Sequence, residues 1–74
     1  MEEIKELEVI RELLETKQYA SLRRRMEAMN TADLAAVMDE FGEEDLLKIF
    51  RLLSKDMAAD VFSYLEVDSQ QFII

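Results

Sequence analysis

The sequence predicts an all-α protein in which short helix pairs of about 24 residues stack as a small superhelical, solenoid-like bundle. Apolar residues recur three and four positions apart along the chain, which is typical of helices with one buried face. The chain has no proline and a single glycine, Gly42, so few residues suit the turns of a β-hairpin. The apolar positions also align with one another when the chain is shifted by about 24 residues.

The first two helices are predicted over residues 2–15 and 19–29, with a short break at residues 16–18. Their predicted inward-facing side chains are Ile4, Leu7, Ile10, Leu13 and Leu14 in the first helix and Leu22, Met26 and Met29 in the second. The second helix also carries three consecutive arginines at residues 23–25. Because consecutive helical residues point about 100° apart, we interpret these arginines as solvated cations that pair with nearby glutamates.

Asn30 is predicted to cap a third helix that runs to about Phe41, and Asp33 gives the start a capping-box-like pattern. Gly42 is expected to end this helix by permitting a left-handed turn. Three acids at residues 43–45 then open a fourth helix, because the helix dipole favours negative charge there. The predicted inward-facing residues are Leu34, Val37, Met38 and Phe41, followed by Leu46, Ile49, Phe50 and Leu53, with Leu47 and Leu52 widening the fourth helix's apolar face.

Ser54 is predicted to cap a fifth helix, and a final short turn or helix is predicted over residues 68–74. The predicted inward-facing residues of the fifth helix are Met57, Ala58, Val61, Phe62 and Leu65. The chain closes on an apolar run at residues 72–74 that no later segment covers. We therefore expect residues 1–74 to be a single helical domain that is truncated at its C-terminal end.

The internal repeat is the basis of the predicted superhelix. A shift of about 24 residues brings apolar positions of successive units into register. It aligns Ile10 with Leu34 and Ala58, Leu13 with Val37 and Val61, Leu14 with Met38 and Phe62, Leu22 with Leu46, Met26 with Phe50 and Ile74, and Met29 with Leu53. The caps Asn30 and Ser54 correspond as well, whereas the polar Gln70 interrupts the Leu22–Leu46 column. Two such short helices cannot bury their apolar faces alone, so neighbouring pairs are expected to stack.

Charge and composition exclude several functional classes. The net charge of −8 argues against nucleic acid and against an anionic membrane surface as partners. No apolar run approaches the roughly 18 residues that a membrane-spanning helix needs. The chain contains neither cysteine nor histidine, which removes Ser-His-Asp and Cys-His catalysis and ordinary zinc sites. An enzyme is therefore not expected. Metal binding stays open, because magnesium is often held by one or two carboxylates, but no acids have the spacing of an EF-hand loop, so a site would be weak alone or completed by another domain. From spacing alone, each acid is interpreted as a solvated charge.

Five short segments together carry a family resemblance. They are Leu-Leu-Glu at residues 13–15, Leu-Arg at 22–23, Ala-Asp-Leu-Ala at 32–35, Phe-Arg-Leu-Leu at 50–53 and Ala-Ala-Asp-Val-Phe at 58–62. In this order and spacing, residues 10–74 resemble the cytoplasmic N-terminal domain of the MgtE family of magnesium transporters. The chain departs from the family at Asn30-Thr31, where His-Pro is usual, and at Lys55 and Val67, where proline is common. Proline is preferred but not required in a first helical turn.

The resemblance implies a regulatory domain that senses magnesium and gates the pore from the cytoplasmic side of the cell membrane. In that family, magnesium ions bridge acidic residues of the N-terminal domain to the nucleotide-binding-type (CBS) domains and the membrane domain of the same chain, and the full-length protein is expected to be a homodimer. The family's acidic position in the Ala-Ala-acid-Val run falls on Asp60, so the resemblance implies Asp60 as a metal ligand, although glutamate is usual there. We interpret Ala58, Ala59 and Val61 as close helix packing.

Two alternatives from other classes stay open. One is a helical domain of a flagellar motor switch protein of the FliG type, whose repeats contain a similar Ala-Ala-acid-Val run followed by leucine and serve in structural assembly. The other is a generic helical adaptor. The stretch from Leu13 to Ala35 fits the transporter domain better than the motor protein.

Overall fold

Six α-helices form the part of the chain that the computed structural model describes, which is residues 2–74, with side chains from Lys5 onward. No strand occurs among these residues, so the predicted all-α class is confirmed. Ile4, which we predicted to face inward, lies outside the described side chains. The helices are α1 (Glu2–Glu15), α2 (Tyr19–Glu27), α3 (Thr31–Met38), α4 (Glu43–Leu52), α5 (Lys55–Tyr64) and α6 (Val67–Ile73).

The helix starts follow a regular spacing. Helices α2, α4 and α6 begin at Tyr19, Glu43 and Val67, so their starts are equally spaced, and the interval equals the step that aligns the apolar positions. Helices α3 and α5 begin at Thr31 and Lys55, which are separated by the same interval. The predicted ends were less accurate than the starts, since α2 stops two residues before Met29 and α3 stops three residues before Phe41.

Two of the predicted caps are confirmed by side-chain hydrogen bonds. The Asn30 side-chain oxygen accepts from the backbone N–H groups of Ala32 and Asp33, at 2.9 and 3.2 Å. The Ser54 hydroxyl oxygen accepts from the N–H of Met57 at 3.3 Å. Each bond satisfies a helix-start N–H that has no partner within its own helix.

The role predicted for Gly42 is wrong. Gly42 has φ −68° and ψ 168°, which is extended backbone, and it is the N-cap of α4 rather than the end of α3. Helix α3 ends instead in a tight turn, in which the N–H of Glu40 donates to Val37 and the N–H of Phe41 to Met38 at 3.0 and 3.1 Å. This turn directs Phe41 into the core, where the residue is 8% exposed, without any left-handed residue.

A left-handed residue does occur at the end of α1, and it is Lys17, with φ 58°. The N–H of Gln18 donates to the carbonyl of Leu13 at 2.9 Å, and the N–H of Lys17 donates to Leu14 at 3.1 Å. These two bonds make a Schellman motif, which usually places glycine at this position. With lysine here, the left-handed conformation brings its Cβ too close to the following carbonyl oxygen, which destabilises the fold.

The variant Lys17→Gly is expected to raise the free energy of unfolding by about 0.5–1 kcal/mol, because relief of the left-handed strain outweighs the greater freedom of glycine in the unfolded chain. Urea unfolding followed by circular dichroism measures the change. Lys48→Gly, in the interior of α4, is the matched control and is expected to destabilise by about 1 kcal/mol. A loss of stability in Lys17→Gly comparable to that of the control would contradict the assignment.

Helix α3 lies at the centre of the fold, in contact with both α1 and α5, while α1 also packs on α2 and α4 on α6. The prediction of the core is largely confirmed, and Ala35 is a buried residue that it missed. The predicted inward-facing residues that are buried are Ile10, Leu14, Leu22, Met26, Leu34, Val37, Met38, Phe41, Leu46, Ile49, Leu53, Val61 and Leu65. The other described ones are half-buried, and Phe50 and Phe62 meet edge to face with their ring centroids 6.4 Å apart.

Candidate functional site

The Ala58–Val61 run divides between the core and the surface. Val61 is fully buried and Ala58 half-buried, as close helix packing requires. Ala59 is exposed, so our interpretation of this alanine as a packing residue is wrong. Asp60 is exposed on the outer face of α5, and within the described part of the chain its carboxylate has no hydrogen bond or ion pair. The carboxylate is therefore accessible to a cation or a partner.

A second carboxylate accompanies Asp60 on the same face of α5. Asp56 lies one helical turn earlier and is also exposed, so the two side chains are neighbours on the helix surface. No group of three or more acidic, histidine or cysteine residues placed to hold a metal ion occurs among the residues that the structure describes. Magnesium is often held by one or two protein carboxylates together with waters and other ligands. Asp60 and Asp56 can therefore supply part of a magnesium site that another surface must complete.

The charged residues that follow Lys55 in the sequence are all acidic. They are Asp56, Asp60, Glu66 and Asp68. Like charges that face one another at short range repel, and a bound divalent cation removes that repulsion.

Two of the three arginines of α2 pair with glutamates, as predicted, whereas the exposed Arg24 donates to the Ser21 hydroxyl instead. Arg23 pairs with Glu27 on the same helix at 3.1 Å, and Arg25 bridges from α2 to Glu6 of α1. The hydrogen bond from Arg25 lowers the pKa of the Glu6 carboxyl below its ordinary value. These pairs lie in the first two helices, away from the acidic end of the chain that holds Asp60.

Asp39 is a structurally important residue that the sequence did not reveal. It lies just after α3, half-buried, and its carboxylate accepts from the Ser69 hydroxyl at 2.7 Å and from the backbone N–H of Glu66 at 3.2 Å. It therefore caps the start of α6 from a distant part of the chain. The Gln70 side chain adds a third anchor by donating to the Phe62 carbonyl at 2.7 Å. Ser69 follows Asp39 by 30 residues, a separation at which local sequence patterns carry no signal.

Large apolar side chains are exposed at the end that carries Asp60. Tyr64 is 61% exposed, Val67 64%, Phe72 39% and Ile74 92%, whereas Tyr19 of α2, at 40%, lies elsewhere on the chain. None of the described helices combines the length and the apolar character that crossing a membrane would require.

Comparison with known families gives one match. Residues 29–74, more than half of the chain, match the family described as the MgtE intracellular N domain. The matched region begins immediately before α3 and includes Asp39, Asp60 and the exposed apolar residues of the last two helices. No curated protein matches the chain, and no solved structure matches it. The chain therefore belongs to the family of MgtE intracellular N domains.

Proposed function

We propose that this chain is the magnesium-sensing, gating domain on the cytoplasmic side of a magnesium transporter. The observation that carries the proposal is the match of residues 29–74 to the MgtE intracellular N domain. The domain would dock on the CBS domains and the membrane domain of the same full-length chain, within a homodimer, and magnesium ions would bridge acidic residues across the contact. In this role the domain binds and positions, and it catalyses no reaction.

Electrostatics provide the mechanism for sensing. At high magnesium, an ion between Asp60 and a carboxylate of the partner domain would neutralise two facing negative charges and stabilise the docked state. At low magnesium, the same carboxylates repel, and the net charge of −8 adds to the separation. An ion that binds the docked state more tightly than the undocked state shifts the population toward docking, and the closed pore follows from docking.

The stacked-repeat architecture also belongs to this proposal. It is supported by the regular spacing of the helix starts and by the contacts of α1 with α3, α3 with α5 and α4 with α6, which join helices at equivalent positions in successive pairs. A stack of this kind presents one outer face of α5 to a partner, and Asp60 lies on that face.

The variant Asp60→Asn is expected to raise the magnesium concentration needed for docking by about tenfold, within the usual range of coupling between sites, because the amide removes one anionic ligand without a change in shape. The measurement is amide hydrogen exchange of the α5 residues in the full-length transporter across a magnesium titration. Wild-type protein is expected to show protection of α5 that rises with magnesium.

Glu8→Gln provides the matched control, because Glu8 is an exposed acid on α1 outside the matched region. It removes the same unit of charge and is expected to leave the magnesium midpoint unchanged. Equal midpoints for Asp60→Asn and the wild type would remove Asp60 from the proposed site. If the protection of the α5 amides did not change with magnesium concentration in any variant or in the wild type, the sensing function itself would be overturned.

A further inference from the structure

We infer that α6 opens from the domain as one unit while α1 to α5 stay folded. A polar clasp holds α6 closed, and it consists of the Asp39 carboxylate with its two donors, the Ser69 hydroxyl and the Glu66 N–H. The inference goes beyond the proposed function and does not depend on it, because it concerns two conformations of the domain itself.

Helix α6 is attached differently from α2 and α4, its counterparts in the earlier helix pairs. Leu22 of α2 and Leu46 of α4 hold equivalent places in the repeat, and both are buried. Gln70 holds that place in α6, where it is half-buried and donates to the Phe62 carbonyl at 2.7 Å. A hydrogen bond therefore replaces a core leucine where α6 meets the rest of the domain.

The clasp is a second polar attachment of α6. Asp39 follows α3, whereas Glu66 and Ser69 lie at the N-cap and in the first turn of α6, so bonds of 3.2 and 2.7 Å join segments that α4 and α5 separate in the sequence. Glu15 holds the place equivalent to Asp39 at the end of α1, and it is exposed. A hydrogen bond within a protein replaces one with water, so it contributes less net stability than a fully buried leucine does. Polar bonds therefore hold α6 less tightly than apolar burial holds α4.

Opening of α6 leaves the rest of the domain in place. Helix α5 packs on α3, whereas α6 packs on α4, so α6 can leave without removing the packing partner of α5. The seven residues of α6 are too few for a stable isolated helix, so its helical hydrogen bonds are lost together when the clasp opens. Elements with few buried apolar contacts open at a lower free energy than the core does. A partner that contacts α4 or α6 in only one of the two states would shift the population between them.

Native-state amide exchange of the 74-residue chain at low urea concentrations tests the inference. The amides of Glu66, Gln70 and Phe72 are expected to share one protection factor with a weak urea dependence, because a single small opening exposes all three. The α3 amides are expected to exchange only through global unfolding, with a steep urea dependence. A gradual fall in protection from Glu66 to Phe72 would overturn the inference, because that gradient is typical of a helix that frays from one end.

A variant in the body of the domain separates local from global opening. Ile10→Val removes a methylene from a fully buried side chain of α1 and is expected to lower the protection of the α3 amides by about threefold to tenfold. The protection of the α6 amides is expected to keep its wild-type value, because α1 stays folded when α6 opens. An equal loss of protection in α3 and α6 would show that α6 opens only with the whole domain, which would overturn the inference.

Variants of the polar attachments test what holds α6 closed. Ser69→Ala removes one donor of the clasp and is expected to lower the protection of the α6 amides by about threefold to tenfold. Ser63→Ala is the matched control, because the exposed Ser63 donates only within α5, to the Asp60 carbonyl, and it is expected to leave α6 protection unchanged. Gln70→Leu restores the leucine of α2 and α4 and is expected to raise α6 protection by about threefold. Equal effects of Ser69→Ala and Ser63→Ala, or lower protection in Gln70→Leu, would overturn the assigned attachment.

Discussion

Leu34→Ala is expected to lower the free energy of unfolding by about 2–5 kcal/mol, the range typical of a buried leucine reduced to alanine. Leu34 is fully buried on α3, and α3 is the helix that contacts both α1 and α5. The substitution removes buried methyl groups and leaves a cavity that the flanking helices can fill only in part. A domain of this size has a total stability of about 4–11 kcal/mol, so the variant loses a large fraction of it.

Urea denaturation followed by far-ultraviolet circular dichroism measures the loss. Leu47→Ala is the matched control, since it removes the same atoms from a leucine of α4 that is only half-buried. The control is expected to lose less than half as much stability as Leu34→Ala. If both variants lost the same amount, α3 would not be the centre of the core.

Asp39→Ala is expected to release α6 from the rest of the domain at a cost of about 1–3 kcal/mol, because it leaves the Ser69 hydroxyl and the Glu66 N–H without their acceptor. Helix α6 has seven residues and none of them is fully buried, so its other anchors are the partly buried Ile73 and the hydrogen bond from Gln70 to Phe62. A helix this short is not stable alone. Amide exchange of residues 67–73 is expected to accelerate strongly in the variant, with little change in α3 and α5.

Two further variants make the result specific. Glu40→Ala removes the neighbouring exposed carboxylate and is expected to leave α6 protected. Asp39→Asn keeps one oxygen acceptor but replaces the other oxygen by an NH₂ donor. Its amide exchange rate in α6 is therefore expected to lie between the rates of the wild type and Asp39→Ala. Unchanged exchange of α6 in Asp39→Ala would show that its apolar contacts with α4 suffice to hold it.

The site could be predicted from the sequence only in part. The resemblance implied Asp60 as a metal ligand, and the structure shows that its carboxylate is exposed while the next residue, Val61, is fully buried. Tyr64 and Val67 were not recognised as surface residues, because a tyrosine or valine in an apolar pattern is as consistent with a core position as with an exposed one. Only the solvent exposure of the folded chain distinguishes these cases.

The helical class, the helix starts and most of the core could be predicted from the sequence. Apolar periodicity and caps such as Asn30 and Ser54 depend on residues within one turn of each other, so they can be read locally. Three features emerged only from the folded chain: Lys17 takes the left-handed position, Gly42 starts a helix, and Asp39 holds α6. These features depend on where separate helices meet in space, and the energy of that packing is not encoded in any short stretch of the chain.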